Sequence, residues 1–241
     1  LCIHVDAASG GFILPFLKPH VKWDFRLDNV LSISTSGHKY GLVYPGLGWV
    51  IWKDKKYLPS EMAFSVNYLG ADITQVGLNF SRPAAQVLGQ YYQFIRLGFQ
   101  GYKAIQQNSM EIAEYLHEEI GKMPQFKNYS SELVNPLFIW SLNPKYDKVA
   151  NWTLYDLQYK LQQNGWMVPA YTLPKDLEQC VVMRIVCRQG FSRDMADMLL
   201  GDIRNAIADF EKLDYPTPSR MAQEKNLPVK PTLFTHTGKK G

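Results

Sequence analysis

The sequence has few of the features that mark secreted or membrane proteins. Its 241 residues include only three cysteines (Cys2, Cys180 and Cys187), without a Cys-x-x-Cys pair. An odd number of scattered cysteines is typical of reduced, intracellular thiols rather than of a disulfide framework. The longest apolar runs, such as GLGWVIW, are far too short to cross a bilayer. We therefore expect a cytoplasmic protein with no membrane span.

An excess of charge of one sign is also missing from most of the chain. Residues 215–241 carry five basic residues and one acid, so the remaining 21 basic and 21 acidic residues balance each other. A neutral body argues against a nucleic-acid partner. The basic end is either an arm that binds a partner or a solvated terminus.

The order of patterns predicts an α/β fold built from two domains and a tail. The first eighty residues are rich in strand-like segments and glycines, with a long excursion or hairpin near their end. Two helices should follow and meet near Gly98. The sequence pattern after them is typical of an α+β domain. We predict the C-terminal part of a large domain over 1–100, a small domain over 101–214 and an extended tail over 215–241.

Three strands stand out in the first part. They are contained in CIHVDAASGG, VLSISTSGHKYG and GLGWVIWKD. The third has apolar residues on both faces, which predicts a buried strand. In the second part, Ser192 is a candidate N-cap for a helix whose inner face we predict from the apolar spacing: Met195, Leu199, Ile203, Ile207 and Phe210.

The segment STSGHKYG places a lysine directly after a strand. In α/β sheets, ligands bind beyond the carboxyl ends of the strands, and a lysine held there can attack a carbonyl to form a Schiff base. Lys39 alone is better explained as an exposed loop residue. Asp6 also ends a strand and is followed by small residues that leave room for a flat ring. An aspartate that keeps a pyridine nitrogen protonated and a lysine for covalent attachment are what pyridoxal 5'-phosphate requires.

With these residues in view, the sequence resembles a known family. HVDAASGGF, SISTSGHKYGL, WVIW, NYLG, NFSRP and VVMRIVCR, in this order, are similar to segments of the bacterial-type, pyridoxal-phosphate-dependent glutamate decarboxylases of the group II decarboxylase family. The resemblance covers essentially the whole chain and corresponds to the second half of such enzymes. It implies an aspartate-aminotransferase-like fold (fold type I), with a partial large domain and a small C-terminal α+β domain.

The resemblance also assigns roles to single residues around the cofactor. Lys39 matches the lysine that binds the cofactor, and Asp6 matches the partner of the pyridinium nitrogen. Ala8 matches a residue packed on the ring, while Ser36 and His38 match contacts to the phosphate. As a lone histidine, His38 could also be structural. Ser81 matches a residue that reaches the phosphate in the neighbouring subunit, so the resemblance implies a homodimer or a higher homo-oligomer with shared active sites.

Three further residues match positions near the substrate. Tyr68 and Leu69 match the tip of a hairpin that covers the neighbouring active site, where Tyr68 is either a proton donor or a packing residue. Arg184 matches the arginine that pairs with a substrate carboxylate. It lies in an apolar strand, where an unpaired charge would be costly, so we expect either this role or an ion pair. We expect no metal site.

The end of the chain resembles the His-Thr terminus of the bacterial enzymes. In the family this tail can plug the site near neutral pH, and His236 titrates in the appropriate range. The extension Gly-Lys-Lys-Gly after it departs from the family pattern. The tail has no tryptophan and several prolines, so we predict no calmodulin binding.

The resemblance implies decarboxylation of L-glutamate to 4-aminobutanoate and CO2, with uptake of a proton, through a lysine Schiff base and a quinonoid intermediate. Two alternatives remain open at this point. One is decarboxylation of another amino acid, aromatic or sulfinic, because the groups that choose the substrate lie upstream in the family. The other is a non-catalytic fragment. The missing initiator methionine and the abrupt strand at Leu1 lead us to expect that residues are missing before Leu1. The resemblance implies that the chain is a fragment without the N-terminal half.

Overall fold

A computed structural model describes residues 1–66, 73–76 and 83–225. The chain divides into two compact units, Leu1–Gln107 and Asn108–Gly241. Among the described residues, no helix is both long enough and apolar enough to cross a membrane.

The first unit contains a three-stranded sheet in the order β1-β2-β3. The strands are β1 (Ile3–Asp6), β2 (Val30–Ser36) and β3 (Gly48–Trp52). Strands β1 and β2 are parallel, and β3 runs antiparallel to β2. The crossover from β1 to β2 holds a 3₁₀ turn and the short helix α1 (Leu14–Leu17), whose Pro15 lies in the first turn, where it is tolerated.

The prediction of a fully buried third strand is wrong. The side chains of Val50 and Ile51 are 59% and 46% exposed. Strand β3 is an edge strand of the described sheet, and no described element covers these two side chains. Because neighbouring residues of a strand point to opposite faces of the sheet, the described part of the chain leaves one apolar side chain of β3 uncovered on each face.

A two-stranded antiparallel ladder follows, as the sequence predicts for the excursion. It pairs β4 (Ala63–Val66) with β5 (Ile73–Val76), and Ala63 faces Val76. The segment between the two strands lies outside the described residues.

Helix α2 (Ala85–Gly121) contains the two predicted helices, and they meet at Gly98 as expected. Gly98 has φ 55° and ψ −166°, a conformation that breaks the helix and that glycine adopts without a steric penalty. On the later part, Ile112, Leu116 and Ile120 are buried and form one apolar face of the helix.

The second unit is built on a four-stranded antiparallel sheet in the order β6-β7-β9-β8. Its elements, with their bounds, are β6 (Phe126–Asn128), β7 (Leu137–Leu142), α3 (Pro144–Asp147), α4 (Leu154–Gln163), β8 (Ala170–Thr172), β9 (Val181–Val186) and α5 (Arg193–Phe210). Helices α4 and α5 pack together over a core that includes Trp140, Leu161 and Ile203. Trp152 stacks on Phe210 with 5.0 Å between the ring centroids.

The inner face of α5 is mostly as predicted. The hydroxyl of Ser192 accepts a hydrogen bond from the Met195 amide at 3.2 Å, which confirms the N-cap. Met195 itself is exposed, and the prediction that it faces inward is wrong. The buried stripe runs instead through Ala196 and then Leu199, because Ala196 is the residue of the first turn that points at the core.

The prediction of an extended tail is wrong for the first part of residues 215–241. Pro218–Glu224 form a short helix, α6, which is capped by the Thr217 hydroxyl. Proline is favoured in a first helical turn, and this offsets the lack of apolar periodicity on which the expectation rested. A guanidinium nitrogen of Arg220 lies 2.8 Å from a carboxylate oxygen of Asp147, which ties α6 to the second unit.

Candidate active site

The parallel pair β1 and β2 brings five of the residues predicted around the cofactor to one edge of the sheet. Asp6 lies beside Ser34 in the strand register. Beyond the strands, the Ser36 amide donates a hydrogen bond to the Ala8 carbonyl at 3.2 Å. The Lys39 amide in turn donates to the Ser36 carbonyl at 3.3 Å, which closes the turn that carries the lysine. Both chain segments therefore leave the sheet together, as expected for parallel strand ends.

Within the described part of the chain, hydrogen bonds hold the Asp6 carboxylate through one of its two oxygens. Its Oδ1 accepts hydrogen bonds from the Ala8 amide at 3.0 Å and from the Ser34 hydroxyl at 3.4 Å. No other described residue donates a hydrogen bond to the carboxylate. Its Oδ2 atom can therefore accept a hydrogen bond from a bound molecule. The side chain is exposed in the described structure, which leaves it accessible to such a group.

Sequence reasoning missed His4, which lies on the same strand face as Asp6. Its Nδ1 is 2.7 Å from the Ser32 hydroxyl, and its Nε2 is 3.3 Å from the Ser34 hydroxyl. Ser34 thus connects the imidazole to the Asp6 carboxylate. The strict alternation of His-Val-Asp along a strand would have been enough to place both side chains on one face.

The turn after β2 exposes Lys39. Among the described residues, its ammonium group takes part in no ion pair. The Nδ1 atom of His38 is 3.4 Å from the Leu47 carbonyl oxygen, a contact that fits a structural role. Ser36 and His38 are both half-buried beside the lysine, and their predicted phosphate contacts stay predictions.

These residues fit pyridoxal 5'-phosphate. Among the described residues, Asp6 offers a carboxylate with one oxygen that accepts no hydrogen bond, Ala8 offers a small side chain, and Lys39 offers an amine that forms no ion pair, all at one edge of the sheet. An anionic acceptor stabilises a protonated pyridine nitrogen, and an accessible amine can condense with an aldehyde.

Arg184 lies in the second unit, on β9 opposite Ile139 of β7. Its guanidinium carbon is 5.7 Å from the centroid of the Tyr171 ring. The side chain is exposed, so burial cost gives no argument for a partner, contrary to the expectation from its apolar strand. Strand alternation explains this, since Arg184 points away from the face that buries Met183 and Ile185. Its predicted contact with a substrate carboxylate stays a prediction.

Four of the predicted site residues lie outside the described residues. They are Tyr68, Leu69, Ser81 and His236. Among the residues predicted around the cofactor, the structure therefore brings together Asp6, Ala8, Ser36, His38 and Lys39 at the edge of the first sheet.

Comparison with known proteins decides the family. Residues 1–142 match the pyridoxal-dependent decarboxylase conserved domain. The chain belongs to this family. That match contains Asp6 and Lys39 together with the whole sheet edge on which they lie.

Relatives within this family of decarboxylases include named bacterial enzymes. The chain is 49% identical over 207 residues to glutamate decarboxylase beta of Listeria monocytogenes, covering 86% of this chain and 44% of that protein. It is 50% identical over 210 residues to the glutamate decarboxylase of Lactococcus lactis subsp. cremoris, covering 87% of this chain and 45% of that protein. The chain thus spans less than half the length of these relatives.

A solved structure confirms the fold class. The glutamate decarboxylase of Lactobacillus brevis superposes with a TM-score of 0.81 at 48% identity, covering 88% of this chain and 48% of that one. The fold is therefore the α/β, aspartate-aminotransferase-like fold of type I pyridoxal-phosphate enzymes, as the sequence resemblance implied.

Proposed function

We propose that the protein to which this chain belongs decarboxylates L-glutamate to 4-aminobutanoate and CO2, taking up one proton. The observation that carries the proposal is the placement of Asp6 and Lys39 at the carboxyl ends of two parallel, adjacent strands. The sequence identity of 49% and 50% to two named glutamate decarboxylases supports glutamate as the substrate.

Pyridoxal 5'-phosphate, when bound, supplies an electron sink for the carbon that loses CO2. Lys39 binds the cofactor through its amine. Asp6 accepts a hydrogen bond from the ring nitrogen at Oδ2 and holds the proton on that nitrogen, because the negative carboxylate favours the charged form. The Ser34 hydroxyl and the Ala8 amide fix Oδ1, and so orient the carboxylate.

Further roles are proposed from the family resemblance. Ala8 packs on the cofactor ring, Ser36 and His38 bind its phosphate, and Ser81 reaches the phosphate in a neighbouring subunit. Near the substrate, the guanidinium group of Arg184 pairs with a substrate carboxylate. The planar arrangement of its N–H donors suits a carboxylate.

Tyr68 and Leu69 cover the site of the neighbouring subunit in this proposal, and Tyr68 donates the proton that replaces CO2. A covering segment excludes water from the reacting carbon.

We further propose a cytoplasmic homo-oligomer with shared active sites. The first part of α2 supports this, since it exposes an apolar face that includes Val87, Leu88, Tyr91 and Ile95. Such a face on a water-soluble protein is commonly covered by another part of the chain or by a partner. Sedimentation of the complete natural protein tests the proposal, and a monomer at micromolar concentration would contradict it.

For the tail, we propose that His236 contributes to a pH-dependent plug of the site. Because α6 is tied to the second unit through Arg220, the informative truncation begins after Lys225 and removes residues 226–241 only. Activity near neutral pH should then increase relative to activity in acid. An unchanged pH profile would refute the plug.

The proposed activity is tested with L-glutamate labelled at C1. The complete natural protein, supplied with pyridoxal 5'-phosphate, should release labelled CO2 and form 4-aminobutanoate in equal amounts. Lys39→Ala should abolish both products, while Lys53→Ala, a lysine of the loop after β3, should retain them. Release of CO2 from an aromatic or sulfinic amino acid but not from glutamate would reassign the substrate. No decarboxylation of any of them would refute the proposal.

A further inference from the structure

The backbone directly after Lys39 is held by side chains of helix α2. The Gln90 amide nitrogen donates to the Gly41 carbonyl at 2.8 Å, and the Tyr102 hydroxyl donates to the same carbonyl at 2.9 Å. The Gln106 amide nitrogen donates to the Tyr40 carbonyl at 2.8 Å. The two residues that follow the lysine are therefore fixed by three donors from one helix.

These donors are shielded from water. Gln90 and Gln106 are 0% exposed and Tyr102 is 2% exposed. Burial raises the pKa of Tyr102 to about 12, so its hydroxyl keeps its proton at any physiological pH. Gln90 also donates to the Tyr102 oxygen at 2.9 Å, which links two of the three donors. Hydrogen bonds in such a dry environment are costly to lose, because water cannot replace a donor that is removed from a buried carbonyl.

The turn that carries Lys39 (residues 37–41, the lysine turn) leaves room for the side chain of Gln90. A Cβ atom at Gly37 would lie 2.6 Å from the Gln90 Oε1 atom, and a Cβ at Gly41 would lie 2.8 Å from it. The two glycines that flank Lys39 thus leave space for this amide group. The amide lies before the helix break at Gly98, whereas Tyr102 lies after it, so both parts of the helix hold the same carbonyl.

We propose that Gln90, Tyr102 and Gln106 are positioning residues that set the direction in which Lys39 presents its amine to the aldehyde of pyridoxal phosphate. This inference rests on the proposed function, in which Lys39 binds the cofactor. The three residues act through the backbone of Tyr40 and Gly41. A reacting amine displaced by about 1 Å can lose on the order of a hundredfold in rate.

The test measures how fast the cofactor becomes attached to Lys39. In the attachment, the lysine nitrogen bonds to the aldehyde carbon and one water leaves. Borohydride then delivers hydride to that carbon, the nitrogen takes a proton, and the secondary amine is stable to digestion. Samples of the complete natural protein are quenched with borohydride at successive times after mixing with pyridoxal 5'-phosphate. The modified Lys39 peptide is quantified by mass spectrometry.

The variants are Gln90→Met, Gln106→Met and Tyr102→Phe, each of which keeps the volume nearly unchanged and removes the donor. The matched control is Gln158→Met, because the Gln158 side chain also binds a backbone group, the Ala170 amide at 2.6 Å, but within the second unit. Attachment should slow by roughly tenfold in each of the three variants, the factor expected for one lost buried hydrogen bond. The control should react at the wild-type rate, although its melting temperature also falls.

Attachment at the wild-type rate in the folded variants would overturn the proposal. Equal slowing in Gln158→Met would also overturn it, since the effect would then be general destabilisation. If Gln90→Met or Gln106→Met does not fold, Tyr102→Phe decides, because it removes a single oxygen atom. If the wild-type protein carries no cofactor on Lys39, the proposed function itself fails, and that outcome is distinct from equal rates in wild type and variants.

Discussion

The close approach of the Gly37 and Gly41 backbones within the turn that carries Lys39 makes Gly41 the most informative position for a single substitution. In Gly41→Ala, the new Cβ would lie 2.6 Å from the Gly37 carbonyl oxygen and 2.7 Å from the Gly37 Cα. Both atoms belong to the backbone, so no side chain can rotate away to relieve the contact. The turn that carries the lysine has to shift.

The expected cost follows from this geometry. Forcing one extra methyl group into a packed site destabilises proteins by about 1–3 kcal/mol. For a domain of about 150–250 residues, each kcal/mol lowers the melting temperature by about 2–4 °C. Urea denaturation followed by tryptophan fluorescence measures the loss as a lower midpoint at an unchanged slope.

A matched substitution separates the collision from the general effect of replacing glycine. At Gly48, an added Cβ would have no atom of the described residues within 4 Å apart from its two chain neighbours. Gly48→Ala should therefore be neutral, or more stable by up to about 1 kcal/mol through the restricted unfolded chain. Equal urea midpoints for Gly41→Ala and Gly48→Ala would refute the close approach and, with it, the shape of the lysine turn.

Three further predictions concern the second unit. Trp152→Ala should lower the free energy of unfolding by about 3–5 kcal/mol, because it opens a cavity beside Phe210, whereas Tyr159→Ala at an exposed site should change it by less than about 1 kcal/mol; urea titration measures both. Thr153→Ala should cost about 1 kcal/mol, because the hydroxyl belongs to the capping box of α4; thermal melting followed by circular dichroism measures it. Burial raises the pKa of the Cys187 thiol from 9.0 to about 12. The unfolded chain therefore loses this proton at lower pH than the folded one, and stability should fall by up to about 1.4 kcal/mol per pH unit between pH 9 and pH 12; Cys187→Ala should remove this slope in urea titrations.

Each of these predictions has a result that contradicts it. Equal losses for the tryptophan and tyrosine variants would show that the stacked pair does not organise the core. An unchanged melting temperature in the threonine variant would show that the capping box contributes nothing. The same slope above pH 9 with and without the thiol would assign it to other groups.

The strand ends around the cofactor site could be predicted from sequence because their signals are local. Asp6 and Lys39 each follow a short apolar segment and precede small residues, and parallel strands bring such ends to one edge. The helix break at Gly98 was predictable for the same reason. Local patterns fail where a distant partner decides, as in β3, where Val50 and Ile51 are exposed at an edge of the described sheet.

The donors that hold the lysine turn show a second limit of sequence reasoning. Gln90 and Gln106 are polar residues within a helix, and composition alone favours an exposed position for them. Their partners are backbone carbonyls 49 and 66 residues earlier in the chain. Backbone acceptors leave no mark in the sequence, so only the folded structure reveals the pairing. Arg184 illustrates the reverse case, since its apolar neighbours suggested burial and strand alternation exposes it.

The most direct test of the central claim identifies the residue that holds the cofactor. The complete natural protein is incubated with pyridoxal 5'-phosphate, reduced with borohydride and digested, and the modified peptide is sequenced by mass spectrometry. The account predicts a single modified residue, Lys39, within the peptide that contains Ser-Gly-His-Lys. Modification of a different lysine, or of none, would contradict it.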